Sequence, residues 1–548
     1  MAASETIFRH WSSPAWTGLW VVLMGVALAT RPLLPVDETR YLAVAWEMWN
    51  TGDLLVPHLN GEPYSHKPPL LFWLINLGWA VFGVNEWWPR LVAPLFGLAN
   101  LFLTAGLARR LWPEETGYAR AAPLILVGGL FWALFTTLTM FDMIVAFCTL
   151  LGLGGVVRAW RTGAWTGFAV LGVAIGLGVL AKGPAVLVHV LPVALLAPLW
   201  GRRLNPAPWA DAWRRWYGGV VAALAGGAAM GLAWAIPAAE AGGEAYADAI
   251  LWGQTAGRMV SSFAHERAWW WYLPLLPLMV LPWVAWPALW RGLRARRPAA
   301  GNGGVRFCLC WFLPALAVFS MISGKQLHYL LPEIPALALL IAFISGRPRE
   351  TPGAPRRDQA VPGLLFAVLG LGALAVPIVA PPDARAALGY QAAWGWGAVL
   401  AAAGLAVAVA RMDAARHLAA LAGLGAVAVI TFHLMARPVV SVAFDLTPTA
   451  ARLAEWERQG VPLAHFGTYH GQFQFLGRLR KPLAVIGLLH PDVETWLERN
   501  PDGKVVSYHR VLPDAAKPLF TYPFRRGLVV IWDAATMIAH PGIADRKS

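Results

Sequence analysis

The feature that most constrains this chain is a series of apolar runs of about 17 to 21 residues, separated by Arg clusters and by Pro or Gly turns. A run of that length, wound as an α-helix, crosses the roughly 30 Å hydrocarbon layer of a bilayer. Only 14% of the 548 residues are charged, whereas a soluble protein carries about 25% charged residues. The sequence therefore predicts an all-α polytopic membrane protein.

Hydropathy predicts about thirteen membrane-spanning helices in the first four fifths of the chain. The predicted spans are Ala15–Leu34, Pro89–Arg109, Ala121–Leu138, Phe141–Val157, Trp165–Ala181, Pro184–Trp200, Tyr217–Ile236, Trp270–Trp290, Phe307–Ile322, Tyr329–Ile344, Val361–Val379, Trp394–Ala410 and Ala415–Phe432. One further apolar stretch, Leu70–Phe82, is shorter and is predicted to be interfacial or re-entrant rather than membrane-spanning. This assignment gives an odd number of spans, so the two ends of the chain lie on opposite sides of the membrane.

The basic residues set the predicted orientation. Lys and Arg exceed Asp and Glu by 44 to 30, which gives a formal net charge of +14. Most of the Arg residues fall in every second short connection, whereas the intervening connections hold little beyond Lys182, Lys325 and Arg385. Because Lys and Arg collect in cytoplasmic loops, the Arg-rich side is predicted to be cytoplasmic. The positive charge therefore orients helices and does not indicate a nucleic-acid partner.

The chain is predicted to have two domains. Residues 1–434 form the transmembrane domain, and residues 435–548 form a small soluble α/β domain on the outer side. In the second domain the apolar runs shorten to strand length around residues 482–487 and 526–532, and they alternate with polar helices such as Ala450–Gln459. No internal repeat is evident, although inverted repeats are common in secondary transporters.

Two long outward loops, residues 35–88 and 237–269, hold most of the outer ionisable residues of the transmembrane domain. The first begins Pro35-Val36-Asp37-Glu38, and acidic residues shortly after a Pro are typical of a helix start. A carboxylate at that N-terminus is stabilised by the helix dipole and by backbone N–H groups. The predicted helix carries an apolar stripe along the interface plane and ends near Gly52. Asp37 and Glu38 are candidate catalytic carboxylates, and capping is the alternative role of Asp37.

A rigid aromatic and basic segment follows in the same loop. It contains Tyr64, His66 and Lys67 and ends in two prolines. A Lys beside a membrane commonly contacts phospholipid headgroups, but in a loop with carboxylates it is also a candidate phosphate ligand. Tyr64 and Lys67 are therefore candidate substrate-binding residues.

Further ionisable residues fall at the outer turns of the predicted topology. Asp142 lies where two spans turn back, and a carboxylate at that depth is a candidate functional residue because its burial is costly. The candidate substrate-binding residues on the same side are Lys182, Arg258, Lys325 and Tyr329. A cationic rim around two or three carboxylates suits an anionic lipid phosphate and an acid or base step.

A metal ion is a weaker prediction. His66 and His265 with a carboxylate have the ligand chemistry of a Zn²⁺ or Mn²⁺ site, but HExxH and Cys/His spacings are absent from the sequence, and loop histidines are commonly plain polar residues. No P-loop, GxGxxG or GxSxG motif stands in a suitable context, so no nucleotide cofactor is expected.

The order of these motifs resembles that of the polyprenyl-phosphate-sugar-dependent glycosyltransferases of the GT-C type. The resemblance lies in residues 37–41, 64–69, 181–184 and 324–332 together with the turn at Asp142, and it extends over the whole chain. Within that class, the motifs are most similar to those of the bacterial 4-amino-4-deoxy-L-arabinose lipid A transferases. One departure is Ser65-His66-Lys67-Pro68, where those transferases commonly have Phe-Glu-Lys-Pro.

The resemblance implies a GT-C fold, a donor in which aminoarabinose is linked to undecaprenyl phosphate, and a lipid A phosphate as acceptor. It implies transfer at the periplasmic face of the bacterial inner membrane, by an inverting displacement, and resistance to polymyxin. By motif, Asp37 would be the principal catalytic carboxylate, Lys67 and Lys182 would bind phosphate, and Tyr329 would contact the donor phosphate. Three alternatives remain: a relative of protein O-mannosyltransferases with another acceptor, a transporter of lipid-linked sugars, and a non-catalytic envelope scaffold.

Overall fold

The computed structural model describes residues 13–204, 213–257, 266–295, 301–346, 356–379, 391–412, 414–487, 493–513 and 516–544. The helices of the transmembrane domain are α1 Ser13–Thr30, α2 Asp37–Thr51, α3 Leu70–Phe82, α4 Trp87–Leu111, α5 Thr116–Val127, α6 Leu130–Thr136, α7 Asp142–Thr162, α8 Trp165–Lys182, α9 Val186–Leu195, α10 Ala197–Leu204, α11 Trp213–Gly242, α12 Glu244–Asp248, α13 Leu276–Met279, α14 Pro287–Ala295, α15 Gly303–Met321, α16 Ile334–Ser345, α17 Arg357–Val379, α18 Trp396–Val409 and α19 Ala414–Ala443. A π-helical segment, Ala249–Gly257, follows α12, and a 3₁₀ segment, Leu327–Glu333, leads into α16.

Many of these helices are long and apolar enough to cross a membrane. Within the described residues, eight helical segments satisfy length and hydropathy, and α5 and α6 act as a further pair bent by 66°. Three shorter apolar helices lie at residues 15–30, 70–82 and 393–409. The structure thus confirms a multi-pass helical protein, while the count of thirteen spans stays a prediction.

The predicted continuous helix over Trp270–Trp290 is wrong. This stretch forms the short helix α13, a 3₁₀ turn at Trp283–Ala285, and the beginning of α14. The cause is the four prolines within it, at positions 274, 277, 282 and 287. Each Pro lacks an N–H and clashes with the preceding helical turn, so apolar character alone does not sustain a helix here.

The chain reverses direction between α8 and α9. Gly183, with φ of +73°, breaks the helix after Lys182. Val186, the first residue of α9, packs directly against Gly178 of α8. The two are so close that a Cβ on Gly178 would lie only 2.5 Å from Val186 Cγ2. This confirms the predicted turn and places Lys182 at the tip of a helical hairpin.

The Arg-rich connections lie together at the other end of the helices. The indole of Trp112 donates to Asn302 Oδ1 at 2.9 Å, and an ideal Cβ on Gly201 would lie 2.5 Å from Trp160. The predicted partition of the chain into one Arg-rich end and one end with carboxylates and lysines therefore agrees with the helix packing.

The second domain is a five-stranded mixed sheet with short helices. Its strands are β3 Leu463–Phe466, β4 Ala484–Ile486, β5 Lys504–His509, β6 Phe520–Phe524 and β7 Gly527–Asp533, after the small hairpin of β1 His58–Leu59 and β2 Glu62–Pro63 in the first outer loop. The sheet order is β4-β3-β5-β7-β6, with β4, β3 and β5 parallel and β7 antiparallel to both neighbours. Its helices are α20 Thr447–Arg458, α21 Gln474–Gly477, α22 Val493–Arg499 and α23 Ala534–Ala539. The strands predicted near residues 482–487 and 526–532 are confirmed, although the proposed boundary at 434/435 falls inside α19, which continues to Ala443.

Helix α2 packs between the transmembrane helices and the second domain. The apolar stripe predicts a helix in the interface plane, but α2 is buried within the protein on most sides. The indole of Trp46 donates to Leu479 O at 2.7 Å, and Trp79 of α3 stacks on Phe475 with centroids 5.2 Å apart and planes inclined by 7°. The second domain is thus anchored to the helix that carries Asp37.

Replacement of Trp79 tests this anchor. Trp79 is 1% exposed, and loss of a buried aromatic side chain typically costs about 3–5 kcal/mol. We expect Trp79→Ala to lower the melting temperature in detergent and to speed proteolysis between α19 and the second domain. Trp87→Ala, at a side chain that is 49% exposed, is the matched control. Equal stability of the two variants would contradict the anchor.

Candidate active site

A cavity of about 600 Å³ opens at the end of the bundle that carries the carboxylates and lysines. Such a volume is in the usual range of small-molecule sites. Its polar lining residues are Ser65, His66, Lys67, Asp142, Lys182, His189 and Tyr329. The rest of its wall is largely apolar and comes from α8, α11 and α15, including Ile175, Leu224, Ala228 and Phe319. The cavity therefore joins a polar mouth to an apolar interior.

Asp142 and Lys182 form the central ion pair of this cavity. Asp142 is the first residue of α7, and Lys182 the last residue of α8, so packing of α7 against α8 brings them together. Lys182 Nζ lies 2.6 Å from Asp142 Oδ1, with side chains 15% and 5% exposed. The same Nζ lies 4.9 Å from the ring centroid of Tyr329, a cation–π contact. Three predicted site residues are thus in one place.

Lys67 reaches the cavity from the first outer loop. Its Nζ lies 5.8 Å from the ring centroid of Phe141, the residue before Asp142. His66 lines the cavity beside it, and its ring centroid is 5.2 Å from that of the buried Tyr64. The buried Tyr64 therefore packs against the segment that carries His66 and Lys67. Lys67 and Lys182 each contribute an ammonium group to the same cavity.

Asp37 lies at the rim. Its side chain is 54% exposed and pairs with Arg40, one turn along α2. The N-cap position of α2 is Val36 and Asp37 is the first helical residue, so the predicted capping role of Asp37 is wrong. Asp37 and Asp142 both interact electrostatically with Tyr41 and with His328, which places the two carboxylates around the same groups. Asp37 is thus accessible and close to the cavity without being part of its lining.

Glu38, also predicted to be catalytic, is instead a buried residue that connects parts of the structure. It is 2% exposed and pairs with Arg31; Arg31 Nη2 donates to Oε1 at 2.9 Å. Its oxygens also accept from the backbone N–H groups of Leu34 at 2.8 Å and Thr139 at 2.7 Å. Burial raises the pKa of Glu38, but the Arg31 guanidinium and these hydrogen bonds outweigh burial and hold the pKa below its ordinary value. Glu38 therefore ties the first outer loop to the α6–α7 turn.

The lowered pKa of Glu38 gives a pH prediction. A carboxyl group whose pKa is lower in the folded state stabilises the fold fully above its unfolded pKa, near 4.5. That contribution is lost as the pH falls through the folded-state pKa. We expect the stability difference between wild type and Glu38→Gln to be constant above about pH 5 and to narrow below about pH 4.5. Melting temperatures in detergent between pH 3 and pH 7 measure it, and a difference that widens in acid would contradict it.

Lys325, predicted to neutralise a substrate phosphate, is also used structurally. Its Nζ donates to the carbonyl oxygens of Arg267, at 2.8 Å, and Ile322, and the residue is 3% exposed. Because these acceptors belong to two segments, Lys325 clamps the end of the second outer loop to the end of α15. Lys325 is not among the residues that line the cavity.

Two predicted site residues remain, Arg258 and His265. Both lie outside the described residues. Within the described part of the chain, no group of three His, Cys, Asp or Glu side chains is arranged to hold a metal ion. The Zn²⁺ or Mn²⁺ site at His66 and His265 stays a prediction, tested by metal analysis of the purified protein, and no step below is assigned to a metal.

Two features of the site were missed from the sequence. His328 lies beside Tyr329, with ring centroids 5.0 Å apart, and interacts electrostatically with both carboxylates and both lysines of the site. His189 lines the cavity and is bonded to Glu333. The available signal was the presence of ionisable residues within apolar runs, which is costly and commonly functional.

The Asp142–Lys182 pair gives a test of the site as a unit. We expect Asp142→Asn and Lys182→Met each to lower kcat/KM for the sugar transfer that the motif resemblance implies at least about 100-fold, because each leaves the other group buried without its partner. The kcat/KM of the double variant should be little lower than that of the less active single variant, since the effects of coupled residues are not additive. Lys481→Met, at an exposed residue, is the control. Additive losses would contradict the pair.

Comparisons with known proteins agree with this architecture. Residues 66–234 match the family model of dolichyl-phosphate-mannose-protein mannosyltransferases. Over 95% of its length, the chain superimposes on the crystal structure of ArnT from Cupriavidus metallidurans bound to undecaprenyl phosphate, with a TM-score of 0.73, 21% identity and 98% of that chain covered. The apo form of the same protein gives a TM-score of 0.72. The chain therefore has the GT-C fold of membrane glycosyltransferases.

Sequence similarity points to one kind of GT-C protein. The chain is 30% identical over 393 residues to an undecaprenyl phosphate-α-4-amino-4-deoxy-L-arabinose arabinosyl transferase of Pseudomonas fluorescens, covering 66% of this chain and 64% of the relative. It is 33% identical over 375 residues to the corresponding transferase of Pseudomonas aeruginosa, covering 64% and 62%. The matches thus span slightly less than two thirds of these relatives. The resemblance found in the motifs is confirmed as a similarity to ArnT.

Proposed function

We propose that this protein transfers 4-amino-4-deoxy-L-arabinose from undecaprenyl phosphate to a phosphate group of lipid A. The observation that carries the proposal is the cavity, which joins two lysines and a buried carboxylate at its mouth to an apolar interior. A polyprenyl phosphate has the matching chemistry, with an anionic group at the end of a long apolar chain. The similarity to named aminoarabinose transferases supports the choice of sugar.

The lysines act on the leaving group. As the bond between sugar C1 and the donor phosphate oxygen breaks, the electron pair passes to the phosphate and its negative charge increases. Lys67 and Lys182 stabilise that charge, and they stabilise it more in the transition state than in the bound donor. Asp142 holds Lys182 in place and balances its charge before substrate binds.

Asp37 acts on the acceptor. A phosphate of lipid A is already anionic near neutral pH, so it needs positioning more than deprotonation. Asp37 lies at the rim, accessible and paired with Arg40. It accepts a proton or hydrogen bond from the acceptor or from the sugar, while Arg40 offers a cation to the incoming phosphate. An oxygen of the acceptor phosphate forms the new bond to C1 on the face opposite the leaving donor phosphate, which gives inversion.

The same proposal fixes the location. The end of the bundle with the cavity faces the periplasm, and the Arg-rich end faces the cytoplasm of a bacterial inner membrane. Lipid A and the donor reach the cavity from the outer leaflet, and the product confers resistance to polymyxin by reducing the negative charge of lipid A.

Expression in a bacterium that makes the donor lipid but lacks its own aminoarabinose transferase tests the function. Mass spectrometry of lipid A should show addition of one aminopentose, and polymyxin resistance should rise. Lys67→Met and Lys182→Met should abolish both, whereas Lys481→Met should abolish neither. A folded wild-type protein that leaves lipid A unmodified would overturn the assignment of sugar or acceptor.

A second candidate is transfer from a polyprenyl phosphate sugar to a protein acceptor. It is favoured by the match of residues 66–234 to the protein mannosyltransferase model and by His66, which departs from the aminoarabinose transferase motif. Purified protein offered lipid A and a Ser/Thr-rich peptide with the same donor distinguishes the two. Glycosylation of the peptide alone would support the second candidate.

A further inference from the structure

His189 and Glu333 form a buried pair at the wall of the cavity. His189 lies on α9 and Glu333 at the end of the 3₁₀ segment before α16, and they are 2% and 0% exposed. His189 Nδ1 is hydrogen-bonded to Glu333 Oε1. Two ionisable groups at this depth in a membrane protein are costly, so the pair calls for a function.

The pair orients one nitrogen toward the cavity. A carboxylate bonded to Nδ1 fixes the tautomer and the ring orientation of a histidine, as it does behind metal-binding histidines. The second ring nitrogen, Nε2, has no hydrogen-bond partner among the residues that the structure describes, and His189 is part of the cavity wall. Nε2 is thus available to a ligand in the cavity.

Aromatic contacts place His189 relative to the phosphate-binding residues. The ring of Phe319 lies between His189 and Tyr329, with its centroid 5.4 Å from the ring centroid of His189 and 5.7 Å from that of Tyr329. Tyr329 in turn contacts Lys182. His189 follows the start of α9 by three residues, about 4.5 Å along the axis, so it lies just inside the polar mouth and borders the apolar interior.

We propose that His189, positioned by Glu333, contacts the phosphate of the lipid-linked donor. This inference rests on the proposed function. In such a donor the phosphate is the group between the sugar and the prenyl chain, and His189 lies between the polar mouth and the apolar wall. A protonated imidazole with Glu333 as counter-ion donates a charge-assisted hydrogen bond from Nε2 to a phosphate oxygen. Glu333 is a positioning residue in this arrangement.

Two amide variants separate the nitrogens of His189. Asn places its amide near Nδ1, so His189→Asn keeps the bond to Glu333 and removes the group that faces the cavity. Gln places its amide near Nε2, so His189→Gln keeps a donor toward the cavity and loses the bond to Glu333. His417→Asn is the matched control, because His417 is also buried and paired, with Gln359, but lies outside the cavity lining.

The experiment measures binding of undecaprenyl phosphate, of undecaprenol and of lipid A to the purified full-length protein in detergent. We expect His189→Asn to raise the Kd for undecaprenyl phosphate about tenfold or more and to leave the Kd for undecaprenol unchanged. His189→Gln and Glu333→Gln should raise the first Kd by smaller factors, and His417→Asn should change neither.

The possible results separate a failure of the proposed function from a failure of the assignment of His189 to the donor phosphate. If wild type does not bind undecaprenyl phosphate, the proposed function fails. If wild type binds and His189→Asn binds equally well with a lower melting temperature, the pair is structural and the inference is overturned. If His189→Asn weakens binding of lipid A and not of undecaprenyl phosphate, the donor assignment is overturned, because the phosphate that His189 contacts is then that of the acceptor.

Discussion

Replacement of Asp37 by Asn is expected to lower the proposed sugar transfer by about 10²- to 10⁴-fold, the usual contribution of a positioned acid or base. Asn has nearly the same size but neither accepts a proton nor carries charge. The side chain of Asp37 is 54% exposed and pairs with Arg40 on its own helix, so folding does not depend on it. We therefore expect normal yield and an unchanged melting temperature.

Transfer from a radiolabelled donor to lipid A measures this effect in purified protein. Glu62→Gln is the matched control, because Glu62 is an exposed carboxylate in the same outer loop. Donor binding should be preserved in Asp37→Asn, since Lys67 and Lys182 are intact, so the loss should fall on kcat. Wild-type activity of Asp37→Asn would end the assignment of this carboxylate to catalysis, whatever the state of the two lysines.

Replacement of Arg31 by Met is expected to lower the stability of the fold by about 3–5 kcal/mol, the usual cost of removing one partner of a buried ion pair. Glu38 would remain buried beside Leu34 and Thr139 without its counter-ion. The pair also joins the first outer loop to the α6–α7 turn, because Arg31 donates to Thr137 O. Low yield and a lower melting temperature are the expected results.

A double variant tests whether the cause is the unpaired charge. Arg31→Met combined with Glu38→Gln removes both charges and keeps the volume of the two side chains. A neutral Gln retains an oxygen that accepts from the backbone N–H groups of Leu34 and Thr139, so the double variant should recover most of the lost stability. If the double variant is as unstable as Arg31→Met alone, packing of the guanidinium and not charge pairing stabilises the loop.

The candidate site shows where prediction from the sequence succeeds. Asp142, Lys182 and Tyr329 lie at three separate outer turns, and their proximity follows once the spans and their directions are known. All three turns lie at the same end of the bundle, so the residues at these turns must lie near one another. Lys67 follows the same logic, because its loop begins and ends at that end.

Prediction fails where a residue's partner decides its role. Glu38 and Asp37 are adjacent and chemically alike, yet one is buried against Arg31 and the other is exposed at the rim. Lys325 and Lys182 stand in similar outer turns, but the first donates to backbone carbonyl groups and the second to Asp142. Helical periodicity fixes the direction of a side chain along its own helix only and does not name the neighbour that it meets.

The sequence by itself predicted a multi-pass helical membrane protein with strands near residues 482–487 and 526–532, which the structure confirms. The side of the membrane on which the site lies stays a prediction. Hydropathy, Pro and Gly positions and the Arg distribution act locally, and the bilayer converts them directly into helices with an orientation. The tertiary structure alone decided which ionisable groups pair. His189 and Glu333 are 144 residues apart in the chain, and only the packing of their helices brings them together, because in a low-dielectric interior each buried charge must find a partner wherever the fold supplies one.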